Sequence, residues 1–161
     1  MSLKQLCSCA VAVLMFGCGI ALQAWAEEPR RARAGAEGFS AEAYIPGEDL
    51  GTTSTGTDVW KLACPSGTAK VEADVGDLGG VDGRTLTVTL VRASTGKASL
   101  RRAPDGGVSP LANLPGGSGT YFVLISKTTG HNTSVKYDSI QRCLNSAGSE
   151  LPVSPVLVQD L

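Results

Sequence analysis

From Asp58 to Cys143 the chain is a succession of short runs in which apolar residues recur at alternate positions, each closed by glycine or proline. A period of two sends neighbouring side chains to opposite faces of a pleated strand, so such runs build sheets rather than helices. Val59, Leu62 and Cys64 open the series, and Pro65-Ser66-Gly67 turns it. Ala69, Val71, Ala73 and Val75 then alternate with Lys70, Glu72 and Asp74. Leu86, Val88 and Leu90 lie among threonines and Val91, a β-branched composition that suits a strand. Turns at Ser94-Thr95-Gly96 and Asp105-Gly106-Gly107 frame shorter runs, including Leu111 to Leu114. Pro115-Gly116-Gly117-Ser118-Gly119 then leads into Tyr121, Val123 and Ile125 on one face and Phe122, Leu124 and Ser126 on the other. Val135, Tyr137, Ser139 and Gln141 alternate with Lys136, Asp138, Ile140 and Arg142 up to Cys143. About seven strands at this spacing predict an all-β fold, an antiparallel β-sandwich or jelly roll.

The flanks read differently. Residues 1–26 have the plan of a signal peptide: Lys4 ahead of an apolar stretch from Leu6 to Leu22, then Ala24-Trp25-Ala26 as a small-x-small cleavage site before Glu27. A rival reading makes Met15-Phe16-Gly17-Cys18 a lipoprotein signal, which would anchor the chain through an acylated Cys18. Phe16 and Met15 depart from that pattern, and lipid anchoring stays the lesser alternative. Residues 27–57 lack a sustained period and predict a flexible arm, with Phe39, Tyr44 and Ile45 available to dock part of it. Residues 144–161 predict an extended tail, in which Val156, Leu157 and Val158 can add an edge strand and Pro155 argues against a central one.

Three of the five cysteines, Cys7, Cys9 and Cys18, fall in the leader, so the mature chain keeps Cys64 and Cys143 alone. An exported protein meets an oxidising compartment, periplasmic or extracellular, where such a pair is expected as a disulfide. The closed loop of about 80 residues corresponds to roughly 4.5 kcal/mol in the chain-entropy picture. Neither a CxxC spacing nor an adjacent histidine points to a redox or metal pair.

Charge narrows the partners. Without Lys4, thirteen basic residues face all fifteen acidic ones, a formal net charge of −2. That balance argues against nucleic acid, which calls for clustered positive charge. Arg30, Arg31 and Arg33 follow the cleavage site and read as a solvated terminus, and Arg101-Arg102 as a solvated face. Beyond the leader no stretch is long and apolar enough for a membrane-spanning helix. Twenty glycines and eight prolines suit many turns.

The landmarks from Asp58-Val59-Trp60-Lys61-Leu62 through Thr68 to Val75, the Asp- and Gly-rich loop, Thr85 to Val91 and Leu114 to Ile125 resemble the bacterial pre-peptidase C-terminal domain. That family is a small jelly-roll sandwich appended to secreted peptidases, and its closing pattern is a glycine turn feeding a Tyr-bearing strand. The resemblance implies an accessory role in secretion, in binding a substrate or surface, and in some members calcium. No peptidase domain is present here, and the Cys64–Cys143 pair is not general to the family.

Three readings of function follow. The first is a non-catalytic exported domain, without a required cofactor, that binds a protein or a cell-surface polymer, with Trp60 as the candidate contact aromatic. The second adds calcium held by Asp74, Asp77 and Asp82, although their spacing departs from the EF-hand pattern and equally suits a turn whose carboxylates cap backbone amides. The third is a small secreted hydrolase, which requires the sole histidine, His131, to meet a serine in space. No serine lies in a Gly-x-Ser-x-Gly elbow, and the lack of other nucleophile–base pairs argues against catalysis. Nothing in the sequence selects an oligomeric state.

Overall fold

A computed structural model describes residues 44–53, 55–80, 83–128 and 133–160. The leader with Cys18, residues 27–43 of the arm, Asp82 and His131 lie outside the described residues.

The described chain is all-β, two antiparallel sheets facing one another, without a helix among the described residues. In chain order the strands are β1 (Tyr44–Asp49), β2 (Thr57–Cys64), β3 (Lys70–Ala73), β4 (Gly76–Asp77), β5 (Leu86–Arg92) and β6 (Ala98–Arg102). They continue with β7 (Ala112–Pro115), β8 (Gly119–Lys127), β9 (Lys136–Leu144), β10 (Glu150–Leu151) and β11 (Val156–Asp160). One sheet runs β1-β9-β3-β7, with β4 and β10 also on β9; the other runs β11-β2-β8-β5-β6.

The alternation dictates what lies between the sheets. Asp58, Trp60, Leu62 and Cys64 of β2, Leu86, Val88 and Leu90 of β5, and Tyr121, Val123 and Ile125 of β8 all point inward. Val71, Ala73, Ala112, Leu114, Tyr137 and Cys143 meet them from the opposite sheet. Removing this apolar surface from water is the main force holding the layers together. Cys64 and Cys143, 79 residues apart in sequence, form a disulfide with Cα atoms 5.8 Å apart, tying β2 of one sheet to β9 of the other. At the β7–β8 turn the Tyr121 hydroxyl donates to the Gly117 carbonyl at 2.8 Å. A Cβ at Gly116 would lie 2.5 Å from that hydroxyl, so the turn has no room for a side chain there.

The sheets extend beyond 58–143 on both sides. Within the expected arm, Tyr44–Asp49 pairs with β9, Ile45 joins the core and Leu50 is fully buried. The register shift between Ile45 and Glu48 spans Pro46-Gly47, and Gly47 has φ of +65°, a bulge that breaks the period and hides the strand from a pattern search. Within the tail, β11 takes an edge of the five-stranded sheet beside β2, as Pro155 allows, with a bulge between Leu157 and Gln159.

Candidate functional site

Asp74 and Asp77 are both buried, and their carboxylates serve backbone amides. Asp74 Oδ1 accepts from the Ile140 N–H at 2.9 Å, which locks the end of β3 to β9. Asp77 Oδ1 accepts from the Gly79 N–H at 2.8 Å, and Oδ2 from the Gly106 N–H at 3.2 Å. The two acids thus address different segments. Among the described residues no group of three histidines, cysteines or acids is placed to hold a metal ion.

Trp60 corrects the expectation of a contact aromatic. It is buried in the core, and its indole N–H donates to the Tyr137 hydroxyl at 2.9 Å. That hydroxyl in turn donates to Asp58 Oδ2 at 2.6 Å, making a polar chain that crosses between the sheets. Burial pushes the Asp58 carboxyl up to about 6 against the Tyr137 hydrogen bond, and the Asp160 and Glu48 charges add to the rise. Burial and the bond to Asp58 also hold the Tyr137 phenol well above its ordinary range. A second buried charge, Lys127, donates to the carbonyls of Gly51 at 2.7 Å and Thr133 at 3.0 Å. Burial and the nearby Arg84 lower its amine, with Asp49 opposing. All these groups are spent on holding strands and loops in place.

The outward surfaces of the two sheets differ. On the β1-β9-β3-β7 sheet, Glu72 accepts from Lys70 at 2.6 Å and from Arg142 Nη2 at 2.7 Å, and the Tyr44 hydroxyl donates to Asp138 at 3.1 Å. Burial pushes Glu72 up, but the two cations outweigh it and leave the carboxyl below its ordinary range. These charged and polar groups on that face are paired with one another.

The five-stranded sheet turns a mixed face outward, with its apolar residues gathered in two rows. Its registers align Gln159, Val59, Leu124, Thr89 and Leu100 in one row across all five strands. The next row is Val156, Lys61, Phe122, Val91 and Ala98. A third carries Thr57, Ser126, Thr87 and Arg102. Val59, Val91, Phe122 and Leu124 are half-buried by their neighbours in the sheet, while Leu100 and Val156 at the two edges are 50% and 56% exposed. The only charges in these rows are the cations Lys61 and Arg102. At about 4.8 Å between strands and roughly 7 Å between rows, the two rows that carry apolar side chains span on the order of 300 Å², the Gln159, Thr89 and Lys61 positions included. Solvated sheet faces usually carry polar residues opposite a buried apolar face, and a cluster of apolar side chains on the outer side departs from that alternation.

Sequence reasoning had the signal for this face without using it. Phe122 and Leu124 stand out of phase with Tyr121, Val123 and Ile125, so β8 is apolar on both sides, as is usual for a strand covered on both. No protein-family model matches the chain, and no curated protein or solved structure matches it either.

Proposed function

We propose that this chain is a non-catalytic exported module that docks another protein on the outer face of its five-stranded sheet. The observation that carries the reading is the pair of apolar rows through Val59, Leu124 and Leu100 and through Val156, Phe122 and Val91. A protein suits this face better than a polysaccharide, because sugar rings stack on aromatic platforms and Phe122 is the one aromatic ring in these rows. Lys61 and Arg102 favour a partner that offers carboxylates around an apolar centre. The footprint is below the roughly 800 Å² per partner of a standard interface, which fits a modest, exchangeable contact unless loops add area. The likeness to pre-peptidase C-terminal domains supports the accessory role, and the leader and disulfide support export to the periplasm or beyond.

Photo-crosslinking in the host's export fraction tests the reading, with p-benzoyl-phenylalanine replacing Phe122 in one variant and Arg142, on the opposite outward face, in another. A discrete protein adduct from position 122 and none from 142 is expected, lost when Leu124→Glu is added without a change in melting temperature. An adduct of twice the chain's mass identifies the partner as a second copy on the same face. Equal adducts from both positions, or none from 122, overturn the proposal.

A further inference from the structure

The side of the sandwich where β1 and β11 form the sheet edges gathers acids. Asp58 of β2 and Asp160 of β11 are direct cross-strand partners. Asp58 is 1% exposed; its Oδ2 takes the Tyr137 hydroxyl, and its Oδ1 is buried without a hydrogen-bond partner. Glu48 of β1 is in turn the cross-strand partner of Tyr137 on β9. From β8 the residue opposite Asp58 is Ile125, and Lys127 further along that strand is held by the Gly51 and Thr133 carbonyls. The charged groups acting on Asp58 are therefore Asp160 and Glu48, both acidic. Like charges directly opposite one another destabilise a strand pair.

The strand that carries Asp160 is held loosely. β11 touches a single neighbour, β2, through a ladder broken by a bulge, and is preceded by Pro152 and Pro155. Four of its five residues are exposed, and Leu157 alone is half-buried against the core. Releasing β11 lets water reach Asp58 and separates the two carboxyls.

We infer that the Asp58–Asp160 pair is a pH-sensitive latch. With Asp58 protonated, β11 stays zipped to β2; with both acids ionised, β11 opens more often and uncovers that edge of the five-stranded sheet. The direction follows from linkage. The closed form holds the Asp58 proton up to a pH of about 6, whereas a solvated aspartate releases it near the ordinary 3.8, so opening grows as pH rises between those values and levels off above. The shift implies an increase in opening of about tenfold between pH 5 and pH 7.5. The latch does not depend on what binds the sheet face.

Amide hydrogen exchange on the full chain, corrected for intrinsic rates and compared at pH 5 and pH 7.5, tests it. Protection of the β11 amides is expected to fall by up to about tenfold while staying well below that of β8, whose exchange requires global unfolding. Asp58→Asn should abolish the change, and Asp160→Asn, at an exposed position that the fold tolerates, should shrink it. Equal β11 protection at both pH values overturns the latch. So does an unchanged pH ratio in Asp160→Asn, or β11 protection as high as that of β8 at either pH, which would report that β11 opens only when the whole domain unfolds.

Discussion

Replacing Tyr137 with phenylalanine removes one oxygen and strands two buried partners. The Trp60 N–H, now 2.9 Å from that oxygen, loses its only acceptor, and Asp58 loses the donor 2.6 Å away. An unpaired buried N–H costs about 1–3 kcal/mol, and a lost hydrogen bond to a charged group about 1.5–3 kcal/mol. The ring itself is kept, so no cavity larger than the hydroxyl opens. At pH 7.5, where Asp58 is ionised, the expected loss is therefore about 3–5 kcal/mol. At pH 5 it is smaller, roughly 2 kcal/mol, because Asp58 is then largely protonated in the folded state and the uncompensated carboxylate disappears. The substitution also removes the hydrogen bond that opposes burial, so the Asp58 carboxyl should titrate higher than in the parent chain. Urea unfolding at both pH values, with the disulfide intact and circular dichroism confirming the fold, measures each quantity. A loss below about 1 kcal/mol, or an equal loss at pH 5 and pH 7.5, would refute the view that this hydroxyl links the two sheets through a desolvated acid.

Three other outcomes follow from the same structure. Asp58→Asn keeps an acceptor for Tyr137 while removing the charge; because burial raises the Asp58 carboxyl, the parent's stability contribution from this group is present below the unfolded value and lost as pH rises through about 6. The variant should accordingly gain up to about 3 kcal/mol on the parent at pH 7.5 and little at pH 4, read by thermal melts across that range. Cys143→Ser removes the cross-sheet tie and should cost about 4–5 kcal/mol, and a melting temperature unchanged by the substitution would exclude the constraint. Asp77→Ala leaves the Gly79 and Gly106 amides without their carboxylate. It should cost about 1–3 kcal/mol even in EDTA, since those bonds need no metal; full stability in EDTA would place the carboxylate's role elsewhere.

How far these features were legible depends on how cleanly each strand keeps its period. β5 and β8 could be read because β-branched and aromatic residues alternate without interruption, and the turn at Pro115 to Gly119 marks the start of β8. β2 was harder. Trp60 shares its parity with Leu62 and Cys64, which places it inside, but charged Asp58 shares that parity too, and apolar Val59 stands on the other. The inward acid and the outward valine make the two faces look interchangeable, and each has its reason only in the fold: Asp58 meets Tyr137 from the facing sheet, and Val59 joins the outer apolar row. β1 was obscured by its own bulge at Pro46-Gly47. Register is the part that local pattern does not carry, since the opposition of Asp160 to Asp58 arises from how β11 settles on β2 past its bulge.

The contrast between the two outward faces bears on how such a domain meets a partner. A sheet whose outer face pairs Glu72 with Lys70 and Arg142 holds those charges in contacts of its own, and a partner docking there would have to displace them. The apolar rows of the other sheet have no such competition; covering them removes hydrocarbon from water at roughly 25 cal/mol per Å², the ordinary driving force of association. The sheet's edges work against strand-by-strand growth. Arg101 and Arg102 put charge on β6, and the bulge and prolines interrupt β11, both of which blunt uncontrolled edge pairing. On the proposed reading, association is left to the flat face, where side-chain fit and the cations Lys61 and Arg102 would select the partner. Val156 and Gln159 bring β11 into that same face, so release of the strand would withdraw one end of both apolar rows and make docking weaker as pH rises.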